Sequence, residues 1–185
     1  VNDQIVPIEE ARIYAHDRGL YFGDGVYEVV AGLGGKLFAL ERHLQRLEYS
    51  LREMQMLEKV DISQIRQRVQ AVHEESGIAD AKVYFHLTRG RALRSHEYVE
   101  DWQPSFLLTV REMNRSQPAS VTAITHPDWR WKRCDIKSLN LLANVLAKNA
   151  AKQAGAAEAI LVDDKGIVTE GTSTSVLMIQ NGVLR

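Results

Sequence analysis

One lysine has a setting in which its amine could react with a carbonyl compound. Lys137 ends a polar segment and directly precedes an apolar run with helical character. A lysine amine forms a Schiff base in its neutral form, and nearby positive charge favours that form. Arg130, Lys132 and Arg133 supply such charge in the sequence. A solvent-exposed lysine at the start of a helix is the ordinary alternative, and the residues alone leave both open.

Other side chains could bind anions. Arg46 lies near the edge of the apolar face of a predicted helix, and its guanidinium matches the geometry of a phosphate group. Tyr27, Arg94 and His96 carry a phenol, a guanidinium and an imidazole, all of which can bind a carboxylate. The alternatives are an ion-paired arginine at position 46 and a flexible basic loop at 89–96.

Periodicity predicts the elements that would position these residues. Apolar positions at helical spacing predict helices near residues 44–54 and 62–76, the second capped by Asp61 and ended by Gly77. A further helix is predicted from Leu139 to Ala154. Alternation and turn residues predict strands at 2–7, 26–33, 36–40, 81–88, 105–111, 121–125, 159–162, 167–169 and 175–179. Residues 17–25, with three glycines, predict an irregular loop.

These elements favour an α/β (α+β) fold with two domains. We predict a small N-terminal α+β domain at 1–115, a linker at 116–120 and the start of a larger domain at 121–185. The 185 residues are 45% hydrophobic and 25% charged with a net charge of −1, so neither a nucleic-acid nor a membrane partner is expected. The histidines lack metal-ligand spacing, and the single cysteine, Cys134, suits a cytoplasmic protein.

Three motifs in this order resemble a known family. They are Asp-Arg-Gly-Leu-Tyr-Phe-Gly-Asp-Gly-Val-Tyr-Glu-Val at 17–29, Arg-Cys-Asp-Ile-Lys-Ser-Leu-Asn-Leu-Leu at 133–142 and Val-Thr-Glu-Gly-Thr-Ser-Thr at 168–174. The resemblance is to the fold-type IV pyridoxal-phosphate enzymes, the class IV aminotransferases, and covers nearly the whole chain. It implies a cofactor between two domains. It also implies that the C-terminal part of the larger domain is missing here, so that residues 1–185 alone are expected to be inactive.

The resemblance assigns expected roles to the cofactor residues. Lys137 would hold the aldehyde of pyridoxal 5′-phosphate as a Schiff base and move protons. Glu170 would keep the pyridine nitrogen protonated, and Arg46 would bind the phosphate. Thr172, Ser173 and Thr174 form the polar loop expected beside the cofactor.

Within the family, the substrate-binding pattern matches enzymes that act on D-amino acids. Tyr27, Arg94 and His96 correspond to their carboxylate-binding residues, and the arginine and histidine reach in from the neighbouring subunit, which implies a homodimer. The expected reaction is transamination of D-amino acids, of the type D-alanine and 2-oxoglutarate to pyruvate and D-glutamate. The alternatives are a branched-chain L-aminotransferase, a 4-amino-4-deoxychorismate lyase, or a non-catalytic relative that binds pyridoxal phosphate or phosphate.

Overall fold

The chain forms two compact units. The computed structural model describes residues 1–116 and 120–185. The first unit comprises Val1–Arg115 and Arg133–Leu139, and the second comprises Ser116–Lys132 and Asn140–Arg185. Of the predicted linker at 116–120, residues 117–119 lie outside the described residues. The domain boundaries stay a prediction, but residues 133–139, expected in the second domain, pack with the first unit.

An antiparallel sheet and two long helices make up most of the first unit. The sheet has the strand order β2–β1–β3–β4. Its strands are β1 (Gly25–Leu33), β2 (Lys36–Leu37), β3 (Ala81–Thr88) and β4 (Ser105–Glu112). The helices are α1 (Arg18–Phe22), α2 (Leu40–Glu53) and α3 (Ile62–Ser76), with short 3-10 turns at Ile8–Glu10 and Leu57–Lys59.

The apolar spacing of the sequence explains how α2 and α3 pack. Leu44, Leu47 and Leu51 recur on one face of α2, and all three are buried. The side chain of Asp61 accepts hydrogen bonds from the first turn of α3, and Gly77 ends that helix with a positive φ of 64°. Helix α3 therefore begins and ends as its sequence predicts, and both helices bury the predicted face. Helix α2 begins at Leu40, four residues before the predicted start, and the strand predicted at 36–40 is only the two residues of β2.

Alternation along β3 gives the sheet two different faces. Val83, Phe85 and Leu87 are buried in the core, whereas the intervening Tyr84 and His86 are only partly buried. Successive side chains of a strand point to opposite faces, so the two partly buried residues share one face of the sheet. Tyr27 lies directly opposite His86 in the β1–β3 register and belongs to that face.

The second unit is built around a small mixed sheet. Its strands are β5 (Ala123–Pro127), β6 (Glu158–Val162) and β7 (Val168–Gly171), with helix α4 (Leu142–Gln153) and a hairpin of β8 (Ile179–Gln180) and β9 (Val183–Leu184). Strands β5 and β6 are parallel, and β7 pairs antiparallel to β6. A small apolar cluster of Ala147, Ala151, Ala159 and Leu161 joins α4 to β6.

The structure confirms the mixed α/β fold and corrects several elements. Residues 2–7 form no strand, and the stretch predicted as a loop contains α1, because the side chain of Asp17 caps it by accepting a hydrogen bond from Gly19 N. Helix α4 begins at Leu142 rather than at residue 139, since Leu139 N donates to Gly25 O instead. The strand expected at 175–179 is reduced to the start of β8. No helix within the described ranges combines the length and apolarity needed to span a membrane.

Candidate active site

The backbone around Lys137 is fixed against β1 and α2. Tyr27 N donates to Lys137 O at 3.0 Å, and Leu139 N donates to Gly25 O at 3.0 Å. Lys137 N donates to the hydroxyl of Ser50 on α2 at 3.2 Å, and Ser50 is buried. Residues 137–139 therefore extend the edge of the sheet beside β1, and this pairing sets the position from which the lysine side chain leaves.

The Lys137 amine lies over an aromatic ring. Its Nζ is 4.2 Å from the ring centroid of Tyr27, and the lysine is partly buried. No carboxylate forms an ion pair with this amine among residues 1–116 and 120–185. The nearby Asp135 is bound by Arg133 and Tyr49, which hold the pKa of its carboxyl well below the usual range. The structure thus leaves the amine beside a phenol ring rather than neutralised by an acid.

Two residues that the sequence analysis missed share the sheet face of Tyr27. The rings of Tyr27 and Tyr84 are 5.8 Å apart, and the Tyr84 hydroxyl lies 2.9 Å from His86 Nδ1. Burial raises the pKa of Tyr84 and lowers the pKa of His86, so both groups favour their neutral forms. Alternation along β3 could have placed them on one face, but only the register showed that this face includes Tyr27.

Arg46 forms a bidentate ion pair with a buried glutamate. Its Nε and Nη2 each lie 2.7 Å from a carboxylate oxygen of Glu28, which is fully buried, and His43 Nδ1 lies 2.8 Å from the same carboxylate. Burial alone would raise the pKa of Glu28, but hydrogen bonds from Arg46 and His43 outweigh it and lower that pKa. The Arg46 side chain is 50% exposed, and its Nη1 has no hydrogen bond within the described residues, so one edge of the guanidinium can meet an anion.

The structure brings Arg94 and His96 together but does not join them to Tyr27. Both residues are exposed, and both pack on Phe22. The Arg94 guanidinium carbon is 5.5 Å from the Phe22 centroid, and the His96 ring meets Phe22 edge-on at 5.3 Å. In the part of the chain that the structure describes, no hydrogen bond, ion pair or ring contact links either residue to Tyr27.

The polar loop after β7 is organised by Glu158, which the sequence analysis did not single out. Thr172 is buried and donates both its N–H and its hydroxyl to Glu158 Oε1, and the Thr174 hydroxyl donates to Glu158 Oε2 at 3.0 Å. Glu170 is partly buried, and its carboxylate accepts from Gly171 N at 3.3 Å, while Ser173 is exposed. The loop residues predicted to touch a cofactor thus take their shape from a carboxylate on β6.

Gly171 permits the tight turn of this loop. A Cβ at this position would lie 2.3 Å from the hydroxyl oxygen of Thr174 and 2.6 Å from its carbonyl oxygen. Atoms cannot approach so closely, so a side chain here would displace Thr174 from Glu158. The requirement for glycine comes from this close approach of backbone segments.

We predict that Glu158 stabilises the second unit in a pH-dependent way. Burial would raise its pKa, but hydrogen bonds from Thr172, Ala159 N and Thr174 lower it to about 2, from an ordinary value of 4.5. A lowered folded-state pKa contributes stability above 4.5 that is lost as the pH falls towards 2. Glu158→Gln should therefore reduce the free energy of unfolding at pH 7 by about 1–3 kcal/mol, and by less at pH 3. Urea unfolding at both pH values measures the difference, and an equal loss at both would contradict the assignment.

The sequence matches a family described as amino-transferase class IV over residues 25–185. This match covers both β1, with Tyr27, and the loop of Glu170–Thr174. This chain is a member of the class IV aminotransferase family. The chain is similar to the D-alanine aminotransferase of Bacillus licheniformis, with 38% identity over 99% of this chain and 65% of that protein. It is also similar to the D-alanine aminotransferase of Listeria monocytogenes 10403S, with 41% identity over 100% of this chain and 65% of that protein.

A solved structure supports the fold of the class IV chain. The pyridoxal-phosphate-bound form of a hypothetical aminotransferase from Mycobacterium tuberculosis superposes with a TM-score of 0.81 at 24% identity, covering 96% of this chain and 66% of that one. At this identity the likeness concerns the fold. The class IV chain spans about two thirds of the length of the D-alanine aminotransferases that it matches.

The donor set of the class IV chain fits the cofactor of its family, pyridoxal phosphate. The first unit offers the amine of Lys137, which is paired with no carboxylate among the described residues, and a guanidinium edge of Arg46 that faces solvent. The second unit offers the carboxylate of Glu170 and the hydroxyls of its loop. An amine for an aldehyde, a guanidinium for a phosphate and a carboxylate for a ring nitrogen are the groups that this cofactor needs.

Proposed function

We propose that the protein is a D-amino acid aminotransferase that uses pyridoxal phosphate to move an amino group from a D-amino acid, such as D-alanine, to a 2-oxo acid, such as 2-oxoglutarate. The observation that carries this proposal is the Lys137 amine 4.2 Å from the Tyr27 ring, on a backbone held by β1. The similarity to two D-alanine aminotransferases over the whole chain supports the choice of substrate.

The proposed cofactor residues have distinct tasks. When bound, the cofactor supplies an aldehyde that takes up the amino group and a ring that withdraws electrons from the substrate α-carbon. Lys137 would hold the aldehyde end, and its Nζ would take the proton from the α-carbon and return it. Glu170 would hold the proton on the ring nitrogen. Arg46 would bind the phosphate, and the loop of Thr172, Ser173 and Thr174 would lie beside the cofactor.

The substrate carboxylate is proposed to bind to Tyr27, Arg94 and His96. A phenol, a guanidinium and an imidazole together donate the hydrogen bonds that a carboxylate accepts. Arg94 and His96 both pack on the Phe22 ring, and both are exposed to solvent, where a second subunit has access to them. We therefore propose a homodimer in which each subunit supplies this pair to its neighbour, acting in the cytoplasm.

We predict that Arg46→Lys weakens binding of the phosphate group specifically. A lysine keeps the positive charge beside Glu28 but offers a point charge in place of a planar fork. Charge-assisted hydrogen bonds contribute about 1.5–3 kcal/mol, so the Kd for pyridoxal phosphate should rise at least about tenfold. The Kd for pyridoxal, which lacks the phosphate, should not change. Fluorescence titration with both compounds, with Arg42→Lys on the exposed face of α2 as the control, measures this; an unchanged Kd for pyridoxal phosphate would contradict the role of Arg46.

Substrate turnover tests the proposed function. The protein, expressed from its complete coding sequence and loaded with pyridoxal phosphate, is supplied in turn with D-alanine and L-leucine, each with 2-oxoglutarate, and with 4-amino-4-deoxychorismate. We expect pyruvate and D-glutamate from the first pair and little product from the others. Faster turnover of L-leucine would identify a branched-chain L-aminotransferase. Release of 4-aminobenzoate from the third substrate would identify a lyase instead.

A further inference from the structure

Arg18 and Phe22, both on the short helix α1, contact the loop that carries Arg94 and His96. We propose that these two residues position Arg94 and His96 for the substrate carboxylate and so control the affinity for the amino acid. This inference rests on the proposed function. Neither Arg18 nor Phe22 is assigned a role by the sequence motifs or by the relatives, and neither would touch the substrate.

Arg18 holds the loop by its backbone. Its Nη1 donates to Ser95 O at 2.6 Å and to Glu97 O at 3.1 Å, and its Nη2 donates to His96 O at 3.4 Å. One guanidinium therefore binds three consecutive carbonyl groups, from residues that lie 77–79 positions away in the sequence. With its bond to Asp24 the guanidinium makes four hydrogen bonds from three nitrogens, whereas a lysine ammonium has three donors on a single nitrogen.

The Arg18 side chain is itself held rigidly. It is 3% exposed, and its Nε donates to Asp24 at 2.7 Å. Asp24 also binds Arg89, which is fully buried and donates to the carbonyls of Met54 and Gln55. The 95–97 segment is thus connected through two buried ion pairs to the C-terminal end of α2. An anchor of this kind has little freedom to shift, so it fixes the backbone from which Arg94 and His96 project.

Phe22 supports the two side chains directly. Arg94 and His96 both pack on its ring, and the Arg18 guanidinium lies 4.8 Å from the same ring centroid. A cation over an aromatic face is attracted to it, by about 0.5–1 kcal/mol at an exposed site. Because Arg94 and His96 are otherwise exposed, the ring restricts rotamers that would have to be ordered when the carboxylate binds. Phe22 therefore lowers the entropic cost of binding.

Two variants test this positioning role. Arg18→Lys keeps the charge beside Asp24 but removes the fork, and Phe22→Leu keeps an apolar side chain but removes the ring. We expect the KM for D-alanine and the inhibition constant of propanoate, a carboxylate without an amine, to rise together by about tenfold, which corresponds to about 1.4 kcal/mol. The kcat and the visible absorption of the bound cofactor should stay the same. Arg52→Lys and Phe38→Leu, which change an exposed arginine and an exposed aromatic ring away from this loop, should leave all four quantities unchanged.

A combined variant separates positioning from a general structural effect. In a protein that already carries Arg94→Met and His96→Gln, Phe22→Leu should raise the KM no further, because the groups that it positions are gone. The inference would be overturned if Phe22→Leu raised the KM further in that background, or if both single variants left the KM unchanged. Either result would leave the proposed function intact. A wild-type protein that binds pyridoxal phosphate but does not turn over D-alanine would overturn both.

Discussion

Replacing Lys137 by alanine is expected to abolish measurable transamination of D-alanine. The amine of this residue is proposed both to hold the cofactor aldehyde and to move the α-proton. General acid–base catalysis alone contributes about 10²–10⁴-fold, so kcat should fall at least about a thousandfold. The measurement is the rate of pyruvate formation from D-alanine at saturating pyridoxal phosphate. The backbone of residue 137 makes its hydrogen bonds to Tyr27 N and the Ser50 hydroxyl without the side chain, so the variant should fold.

Two further variants make this prediction specific. Lys137→Arg keeps a positive charge over the Tyr27 ring but cannot bond to an aldehyde, so it should be as inactive as the alanine variant. Lys165→Ala, which removes an exposed lysine in the turn before β7, should keep full activity. If Lys137→Ala retained the wild-type rate, the role proposed for this amine would be wrong.

Replacing Asp24 by asparagine is expected to cost more stability than any surface change. Its carboxylate binds Arg18 at 2.7 Å and Arg89 at 3.0 Å, and all three side chains are at most 7% exposed. Asparagine preserves the shape but leaves two buried guanidinium groups without a counter-charge. Removing one partner of a buried ion pair typically costs about 3–5 kcal/mol. Urea unfolding at pH 7 should show a decrease of that size in the free energy of unfolding.

The matched control is a charge pair on the surface of α2. Glu48 and Arg52 are 2.8 Å apart, with side chains 41% and 57% exposed. Exposed pairs contribute about 0–1 kcal/mol, so Glu48→Gln should have a small effect. An equally small effect of Asp24→Asn would show that the buried pairs do not hold the first unit together, and would weaken the case for a rigid anchor behind the Arg94–His96 loop.

Local sequence signals predicted much of the fold. The alternation in residues 81–88 defined β3 with its observed ends, and Asp61 and Gly77 marked both ends of α3. These signals lie within a few residues of the elements that they define. The start of α4 depended on a distant partner, and its prediction was wrong. The helix predicted from residue 139 begins later because Leu139 pairs with Gly25 on β1, a contact between segments far apart in the sequence.

The candidate functional residues show the same difference between local signals and distant contacts. The family motifs drew attention to Lys137, Glu170 and Arg46, whose roles remain predictions. Two carboxylates, one in each unit, were missed: Glu28 is defined by a pair with Arg46, 18 residues away, and Glu158 by a hydrogen bond from Thr172, 14 residues away. A glutamate in a strand has no local signal for such a task, since the strand pattern predicts only which face it occupies.

The visible absorption spectrum of the protein with pyridoxal phosphate, recorded before and after adding D-alanine or L-alanine, tests the central claim most directly. The protein should be expressed from its complete coding sequence, with Lys137→Ala measured alongside. We predict a visible band that depends on Lys137 and that D-alanine, but not L-alanine, bleaches. A band that persists in Lys137→Ala, or that only L-alanine bleaches, would contradict the account.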